Sequence, residues 1–184
     1  MTKTFAVMLA LLAAATTSKA EDFGRFVGDV VAKWDKDGRI MTLTEPFAYI
    51  SPSGDRWDAP KGSKIDGASI PRMAWSLIGG PFEGKYRDAS VIHDVACVMR
   101  NRPWRDTHLA FYTAMLASGV ERSKAKIMYS AVYHFGPRWY GFRPDPPDPP
   151  QTLTESDFKR LATEIESREK TSQPMTLQDI QKYR

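Results

Sequence analysis

The adjacent residues His93 and Asp94 are the clearest candidates for chemistry in this chain, because they interrupt an apolar helical pattern. Consecutive residues of an α-helix point about 100° apart, so one of the two can act as a base while the other binds a metal or orients a partner. Two polar residues in a row within a buried helix also need a reason, since an unpaired polar group in the core costs free energy. The pair therefore indicates either a functional site or a buried polar contact.

The next predicted helix supplies two candidate partners for His93, namely Asp106 and His108 in its first turn. In a helical hairpin, residues late in one helix face residues early in the next. An aspartate that accepts a hydrogen bond from the imidazole would fix its tautomer and favour general-base catalysis, whereas a histidine there would suit a metal site with Asp94. His93, Asp106 and His108 are thus the catalytic candidates. The simpler alternatives are a first-turn acid favoured by the helix dipole for Asp106 and a half-exposed polar residue for His108.

A metal site is predicted from Asp94, Asp66, Gly79 and Gly80. The segment at residues 66–69 follows the predicted sheet and precedes a helix, a common place for site residues, although a turn with a helix cap explains it equally well. Gly79 and Gly80 could present backbone carbonyls to a hard cation such as calcium, with a carboxylate from Asp94. Calcium and zinc are the two alternative metals.

The first twenty residues have the pattern of a secretory signal peptide. Lys3 is followed by an apolar run at residues 5–15, and small residues at 18 and 20 suit signal peptidase. The apolar run is too short to span roughly 30 Å of hydrocarbon. We therefore predict export, to the periplasm or the exterior, with cleavage after Ala20.

Charge and cysteine content restrict the class of the remaining chain. Without residues 1–20, 24 basic and 22 acidic residues remain, so no nucleic-acid partner is expected. The aromatic residues at 139, 140 and 142 suggest contact with a lipid or a cell-envelope component. Cys97 is the only cysteine, which excludes an internal disulfide, and its simplest interpretation is a small buried apolar residue.

The periodicity predicts an α+β fold: a small N-terminal antiparallel β-sheet packed on a bundle of three to four helices. One domain is expected at 21–142, followed by a stiff proline-rich linker at 143–150 and a polar helical tail at 151–184. For the tail we weigh a docking helix against a mobile extension and favour the extension. The predicted strands cover residues 26–31, 40–43, 47–50 and 56–59, and the predicted helices cover residues 71–78, 86–99, 105–117, a fourth segment ending near 135, 155–170 and 176–183.

Five short segments in the same order resemble a family of small bacterial and phage proteins catalogued as a domain of unknown function, number 1353. The resemblance extends over roughly 80 residues and implies no activity. In that family an aspartate precedes the Phe-Tyr pair, and His108 stands at its place in this chain. The segments are residues 66–72, 75–79, 89–94, 111–112 and 128–136.

Residues 79–111 are similar, more locally, to secreted and viral phospholipases of the A-two class, which have a glycine loop, a helix with His-Asp and a second helix. The resemblance implies that His93 activates water and that Asp94 holds calcium together with Gly79 and Gly80. The aspartate that orients the histidine in those enzymes has no match in register, because Asp106 lies two residues away, about 200° around the helix.

Three functions stay open. The first is an exported metal-assisted hydrolase, in its phospholipase-like form a calcium-dependent lipid esterase with His93 as base. The second is a non-catalytic, phage-derived binding or assembly protein. The third is a zinc-dependent cell-wall hydrolase that uses His93, Asp94 and His108 as ligands.

Overall fold

The computed structural model describes residues 21–36, 38–67, 69–72, 74–75, 79, 84–141 and 153–184. The predicted signal peptide at residues 1–20 and the predicted proline-rich linker at 143–150 lie outside the described residues. Two antiparallel sheets are followed along the chain by helices, which confirms the predicted α+β class.

Six short strands build the two sheets. One sheet has the order β1-β4-β5 and the other the order β2-β3-β6, with every pair antiparallel. The strands are β1 (Arg25–Val27), β2 (Ala32–Trp34), β3 (Met41–Leu43), β4 (Phe47–Ile50), β5 (Arg56–Ala59) and β6 (Lys64–Ile65).

The strand predicted at residues 26–31 is shorter in the structure, because β1 ends at Val27 and the next strand, β2, begins only at Ala32 and belongs to the other sheet. The predicted strand is interrupted at Gly28, whose φ of +80° is one that glycine adopts without strain. β1 then pairs with β4, while β2 pairs with β3 across the predicted turn, where the Asp35 amide donates to the Ile40 carbonyl at 2.7 Å. One predicted sheet thus becomes two.

Five of the six predicted helices are present with nearly the predicted bounds, whereas the helix predicted at residues 71–78 lies partly outside the described residues. The five helices are α1 (Arg87–Met99), α2 (Trp104–Ala117), α3 (Arg122–Phe135), α4 (Glu155–Glu169) and α5 (Leu177–Lys182), and a 3₁₀ turn at Gly84–Tyr86 precedes α1. α1 ends where Arg100 adopts a left-handed conformation with φ of 50°, and Glu121 caps α3 by accepting from two backbone amides. Among the described residues, none of the helices combines the length and the apolar character that crossing a bilayer requires.

α1 is the central helix of the fold. It packs against β4, β5 and β6 on one side and against α2 on another, and every residue from 89 to 97 is buried. His93 and Asp94 are therefore core residues, and the elements around them decide what their side chains contact.

The C-terminal tail docks on the bundle, so the interpretation as a mobile extension is wrong. Phe158, Leu161 and Ile165 recur at helical spacing in α4, and all three are buried in the shared core. α4 packs against α3, and Ile180 of α5 is fully buried as well. The apolar stripe is narrow within a polar helix, which is why the composition alone suggested a solvated segment.

Candidate active site

Two helices and one loop bring the site together. α1 and α2 pack against each other through the short connection at residues 100–103, and this hairpin places Nε2 of His93 2.8 Å from Nδ1 of His108. On the other side of the imidazole, Nδ1 of His93 lies 3.0 Å from Oγ of Ser69, in the loop that follows β6. His93 thus contacts polar groups through both ring nitrogens.

The hydrogen bonds of His108 fix the tautomers of both histidines. Nε2 of His108 lies 3.2 Å from the Pro137 carbonyl, which can only accept, so this nitrogen carries the proton of the neutral ring. Nδ1 of His108 must then accept from Nε2–H of His93. As a result, Nδ1 of His93 is left as a lone pair directed at Ser69.

Asp94 closes the network at the other end. Its Oδ2 accepts from the Gly67 backbone amide at 2.7 Å, and its Oδ1 accepts from the Ser69 hydroxyl in a short hydrogen bond. The hydroxyl proton of Ser69 therefore has an acceptor on each side, namely Asp94 and His93. When Asp94 is protonated, it can donate to Ser69, which frees the hydroxyl proton for His93.

Burial perturbs every titratable group of this network. It lowers the pKa of His93 well below the ordinary value, and neighbouring His108 lowers it further. Burial also lowers the pKa of His108 to about 3. The pKa of Asp94 is raised to about 6, chiefly because desolvation outweighs the hydrogen bonds from Ser69 and Gly67. Near neutral pH both imidazoles are uncharged, as a proton-accepting His93 requires.

Aromatic rings hold the two imidazoles in place. Phe111 stacks on His93 with ring centroids 4.5 Å apart, and Trp104 lies against His108 at 5.4 Å. Both aromatic residues belong to α2, so this helix fills the space beside the imidazole of His93. Ring packing and hydrogen bonds together leave each imidazole one orientation.

Cys97 lies next to the histidine pair. It is one helical turn after His93, and its Sγ is 3.7 Å from Nε2 of His93. Cys97 Sγ and one ring nitrogen from each of His93 and His108 all lie within 4.8 Å of one another, and all three residues are buried. Burial raises the pKa of the Cys97 thiol to about 12, so the metal-free thiol is protonated.

The remaining predicted site residues either lie apart from this network or are not among the described residues. Asp106 is exposed in the first turn of α2, where it lines a surface pocket together with Asp55 and Arg102. Asp66 is exposed, and its charge raises the pKa of Asp94. Gly79 is half-buried, and its amide donates to the Trp75 carbonyl at 2.9 Å. Gly80 lies outside the described residues.

Four groups of the network were not among the predicted site residues: Ser69, Cys97, the Gly67 amide and the Pro137 carbonyl. Cys97 carried a usable signal, because residues four apart share a helix face and can bind one metal together with a third ligand. Ser69 stood in a segment singled out as a site, but only as a turn or cap. Nothing in the sequence marks the Pro137 carbonyl.

A comparison with family models places these elements in a defined group. The model described as "Protein of unknown function (DUF1353)" matches residues 41–132, half of the chain. The chain belongs to the DUF1353 family. The matched region extends from β3 into α3 and includes Ser69, His93, Asp94 and His108, so the network is contained within the DUF1353 region, with the exception of the Pro137 carbonyl.

Two relatives from Sinorhizobium fredii (strain NBRC 101917 / NGR234) are similar to this DUF1353 chain. The uncharacterized protein y4jT is 46% identical over 127 residues, 68% of this chain and 38% of its own length. The uncharacterized protein y4iH is 47% identical over 103 residues, 56% of this chain and 43% of its own length. The alignments thus cover about two fifths of these relatives. No solved structure gives a significant match.

Proposed function

We propose that this DUF1353 protein is a hydrolase in which Ser69 is the nucleophile, His93 the general base and His108 a positioning residue. One observation carries the proposal: Oγ of Ser69 lies 3.0 Å from the ring nitrogen of His93 that the neighbouring hydrogen bonds leave unprotonated. A hydroxyl beside an oriented base, with a third group holding the base, is the arrangement that nucleophilic acyl transfer uses.

The chemistry follows from the contacts. Oγ of Ser69 forms a bond to the carbonyl carbon of an ester, and its proton passes to Nδ1 of His93. The bond to the leaving alcohol breaks as His93 returns this proton to the alcohol oxygen. A water molecule then attacks the acyl-enzyme with the same base, which releases the acid and restores the Ser69 hydroxyl. His108 accepts Nε2–H of His93 throughout and keeps the ring in register.

The substrate class we propose is a carboxylic ester of a lipid or another cell-envelope component, met after export. The signal-peptide pattern of residues 1–20 supports export, and fractionation of cells that make the full chain, with detection of a shortened form, tests it. Ser69 has the least buried side chain among the hydrogen-bonding side chains of the network, at 8% exposure, so the ester would approach from the loop that follows β6.

The calcium-dependent form of this function has less support. Oδ1 and Oδ2 of Asp94 both face the loop at residues 67–69, where they accept hydrogen bonds. In the phospholipase-like arrangement this carboxylate would hold the metal. The calcium-free mechanism instead uses the contacts of His93 and Ser69 as they stand.

A second candidate is a non-catalytic binding or assembly protein in which the network only stabilises the core. The observation that favours it is burial, since His93 is 1% exposed and His108 is fully buried. Under this alternative, Asp94 and Ser69 serve to hold the loop after β6 against α1. The two candidates predict different effects of removing the Ser69 hydroxyl: loss of activity for the hydrolase, and loss of stability for the binding protein.

Hydrolysis of ester substrates by the purified full chain in its metal-free form, with and without Ser69→Ala, separates them. We expect turnover of short-chain and phospholipid esters to fall by about 10³-fold or more in Ser69→Ala, as for loss of a nucleophile. Ser130→Ala is the matched control, because Ser130 is a buried helical serine of α3 that donates to the Ile127 carbonyl at 2.7 Å. Thermal melting of both variants reports the structural cost.

The outcomes decide between the candidates. Loss of turnover in Ser69→Ala at a melting temperature close to that of Ser130→Ala supports the hydrolase. Absence of turnover in the unsubstituted chain, together with a lower melting temperature in Ser69→Ala than in Ser130→Ala, supports the non-catalytic role. Equal turnover in both variants would show that any observed hydrolysis does not use Ser69.

A further inference from the structure

The buried cluster of Cys97, His93 and His108 contains three donors of the two types, sulfur and nitrogen, that borderline metals prefer. A thiol sulfur and two imidazole nitrogens converge from α1 and α2, and all of the donor atoms lie within 4.8 Å of one another. Zinc is held in proteins by such sulfur and nitrogen donors, whereas calcium and magnesium take oxygen ligands. We propose that Cys97 Sγ, His93 Nε2 and His108 Nδ1 form a binding site for one zinc-class metal ion.

Two of the three distances between the donor atoms can be compared with those of tetrahedral zinc. Tetrahedral zinc places a sulfur and a nitrogen ligand about 3.6 Å apart, and Sγ of Cys97 is 3.7 Å from Nε2 of His93. Two nitrogen ligands of the same ion would lie about 3.3 Å apart. The observed 2.8 Å between His93 and His108 is a hydrogen-bond distance, so the metal replaces the shared proton and separates the rings by about half an ångström.

Charged groups of both signs lie near the cluster: the charges of Arg138 and Arg100 act on His108 and Cys97, and the carboxylate of Asp94 also acts on Cys97. A divalent ion with one thiolate and two neutral imidazoles carries one net positive charge. Among the described residues, no lysine or arginine forms an ion pair with the buried Asp94, whose carboxylate reaches His93 through Ser69. With a metal on Nε2 of His93, Nδ1–H donates to Ser69 and Ser69 donates to Asp94. That chain is the carboxylate-supported histidine common around protein zinc.

The metal site would also control the proposed chemistry. A metal on Nε2 forces the proton of His93 onto Nδ1, so the lone pair that faces Ser69 disappears. Metal binding itself stands on the geometry alone, whereas the inhibition of hydrolysis rests on the proposed function. Three protein ligands leave a fourth coordination position for water or an exogenous ligand.

Cobalt titration of the purified full chain, prepared with a chelator and a reductant, tests the site directly. We expect one equivalent of Co²⁺ to produce a thiolate-to-cobalt charge-transfer absorption, and one equivalent of Zn²⁺ to abolish it. Because the chain has a single cysteine, this absorption can arise only from Cys97. Zn²⁺ should also raise the melting temperature, since it binds the folded state.

Variants show whether the three residues act together. Cys97→Ser should lose the absorption, and His108→Asn should weaken binding by more than the roughly 10–100-fold typical of changes outside the ligand shell. His134→Gln is the matched control, because His134 is a buried histidine whose Nε2 faces the Ile180 carbonyl instead. Circular dichroism of each variant verifies folding, and the Cys97→Ser arm decides the matter if His108→Asn does not fold.

Several results would overturn the site: no thiolate absorption at one equivalent of Co²⁺, zinc affinity unchanged in Cys97→Ser, or equal losses in His134→Gln and His108→Asn. The two proposals fail separately. Zinc binding by a chain that never hydrolyses esters supports the metal site and contradicts the hydrolase. Hydrolysis by the metal-free chain without any metal binding gives the reverse.

Discussion

The backbone carbonyl of Pro137 determines the tautomer of His93, although it contacts His93 only through His108. Because the Pro137 carbonyl accepts from His108, His108 must accept from His93, and only then does His93 present a lone pair to Ser69. In the proposed mechanism, His108 therefore acts on the reaction through His93 and does not need to touch a substrate. Its contribution lies in the tautomer and the orientation of the base.

Two substitutions of His108 separate this positioning role from packing. The carbonyl oxygen of His108→Asn lies near the place of Nδ1 and can still accept from Nε2–H of His93, whereas His108→Leu cannot. We expect kcat to fall by about 10²-fold or more in His108→Leu and clearly less in His108→Asn, with KM little changed in both. Steady-state kinetics on an ester substrate, together with melting temperatures, measures the difference.

The comparison of His108→Leu with His108→Asn can also contradict the positioning role. A purely structural role predicts that activity follows stability, so the two variants would lose kcat in proportion to their melting temperatures. If His108→Asn is no more active than His108→Leu at equal stability, hydrogen-bond acceptance by residue 108 does not matter and the positioning role is wrong.

For these residues, the sequence predicted that α1 and α2 pack together but did not predict which residue of α2 contacts His93. His93 and the first turn of the next helix were expected to face each other, and both Asp106 and His108 qualified. The structure selects His108 because its side chain points into the core, whereas Asp106, two residues earlier, points to solvent. Helical spacing distinguishes faces, but the sequence does not say which face of α2 meets α1.

The site depends on elements that are far apart along the chain. The loop after β6 reaches α1 because Asp94 accepts from the Gly67 amide, and α2 reaches α1 through the short connection at residues 100–103. The helices could be predicted because their apolar stripes are long. β6 has only two residues, Lys64 and Ile65, and pairs with β3, which lies about twenty residues earlier in the chain. A strand this short has no local sequence pattern that predicts it.

A buried ion pair fixes the tail helix α4 to α3, and its loss should be costly. Lys126 contacts Glu169 in a salt bridge whose side chains are 6% and 13% exposed. Glu169→Gln leaves a buried ammonium without its partner, which typically destabilises a protein by about 3–5 kcal/mol. Urea denaturation followed by circular dichroism measures this free energy of unfolding.

The control lies in the same helix. Glu164 pairs with Arg168 at 3.6 Å, and both side chains are more than a third exposed, so Glu164→Gln should cost at most about 0.5 kcal/mol. A similar small cost for Glu169→Gln would mean that water reaches Lys126 once the glutamate is gone, and that the tail contributes little to stability through this pair.

Among the described residues, the larger hydrophobic core extends from the sheets to the tail, and Cys97, Trp104 and Trp139 form a small second cluster. Residues of β3, β4 and β5, of α1 to α3, and of α4 and α5 all belong to the larger core. The class of the fold could be predicted because strand-like segments precede helical ones. The docking of the tail could not be predicted. Only four of the fifteen residues of α4 are buried, and a sequence with so few apolar residues is also typical of a solvent-exposed helix.

All three histidines of the chain are buried, and this predicts how stability depends on pH. Burial lowers the pKa of His93, His108 and His134 below the ordinary value of 6.5, in His108 to about 3. As the pH falls through about 6.5, the unfolded chain takes up protons that the folded chain does not. The free energy of unfolding should therefore decrease with decreasing pH. Asp94 has the opposite sign between its ordinary pKa and about 6, because its raised pKa makes the folded chain bind the extra proton there.

Three histidines outweigh the two carboxylates whose pKa burial raises, Asp94 and Asp88, so urea denaturation of the metal-free chain should show a continuous loss of stability from about pH 7.5 to pH 5. His134→Gln separates one histidine from the site, because His134 lies in α3 with its Nε2 2.8 Å from the Ile180 carbonyl of α5. Glutamine can donate to the same carbonyl but does not titrate in this range. The variant should therefore lose less stability over the same pH interval than the unsubstituted chain. Stability that is constant or that rises on acidification would show that the folded histidines take up protons freely, which contradicts their burial.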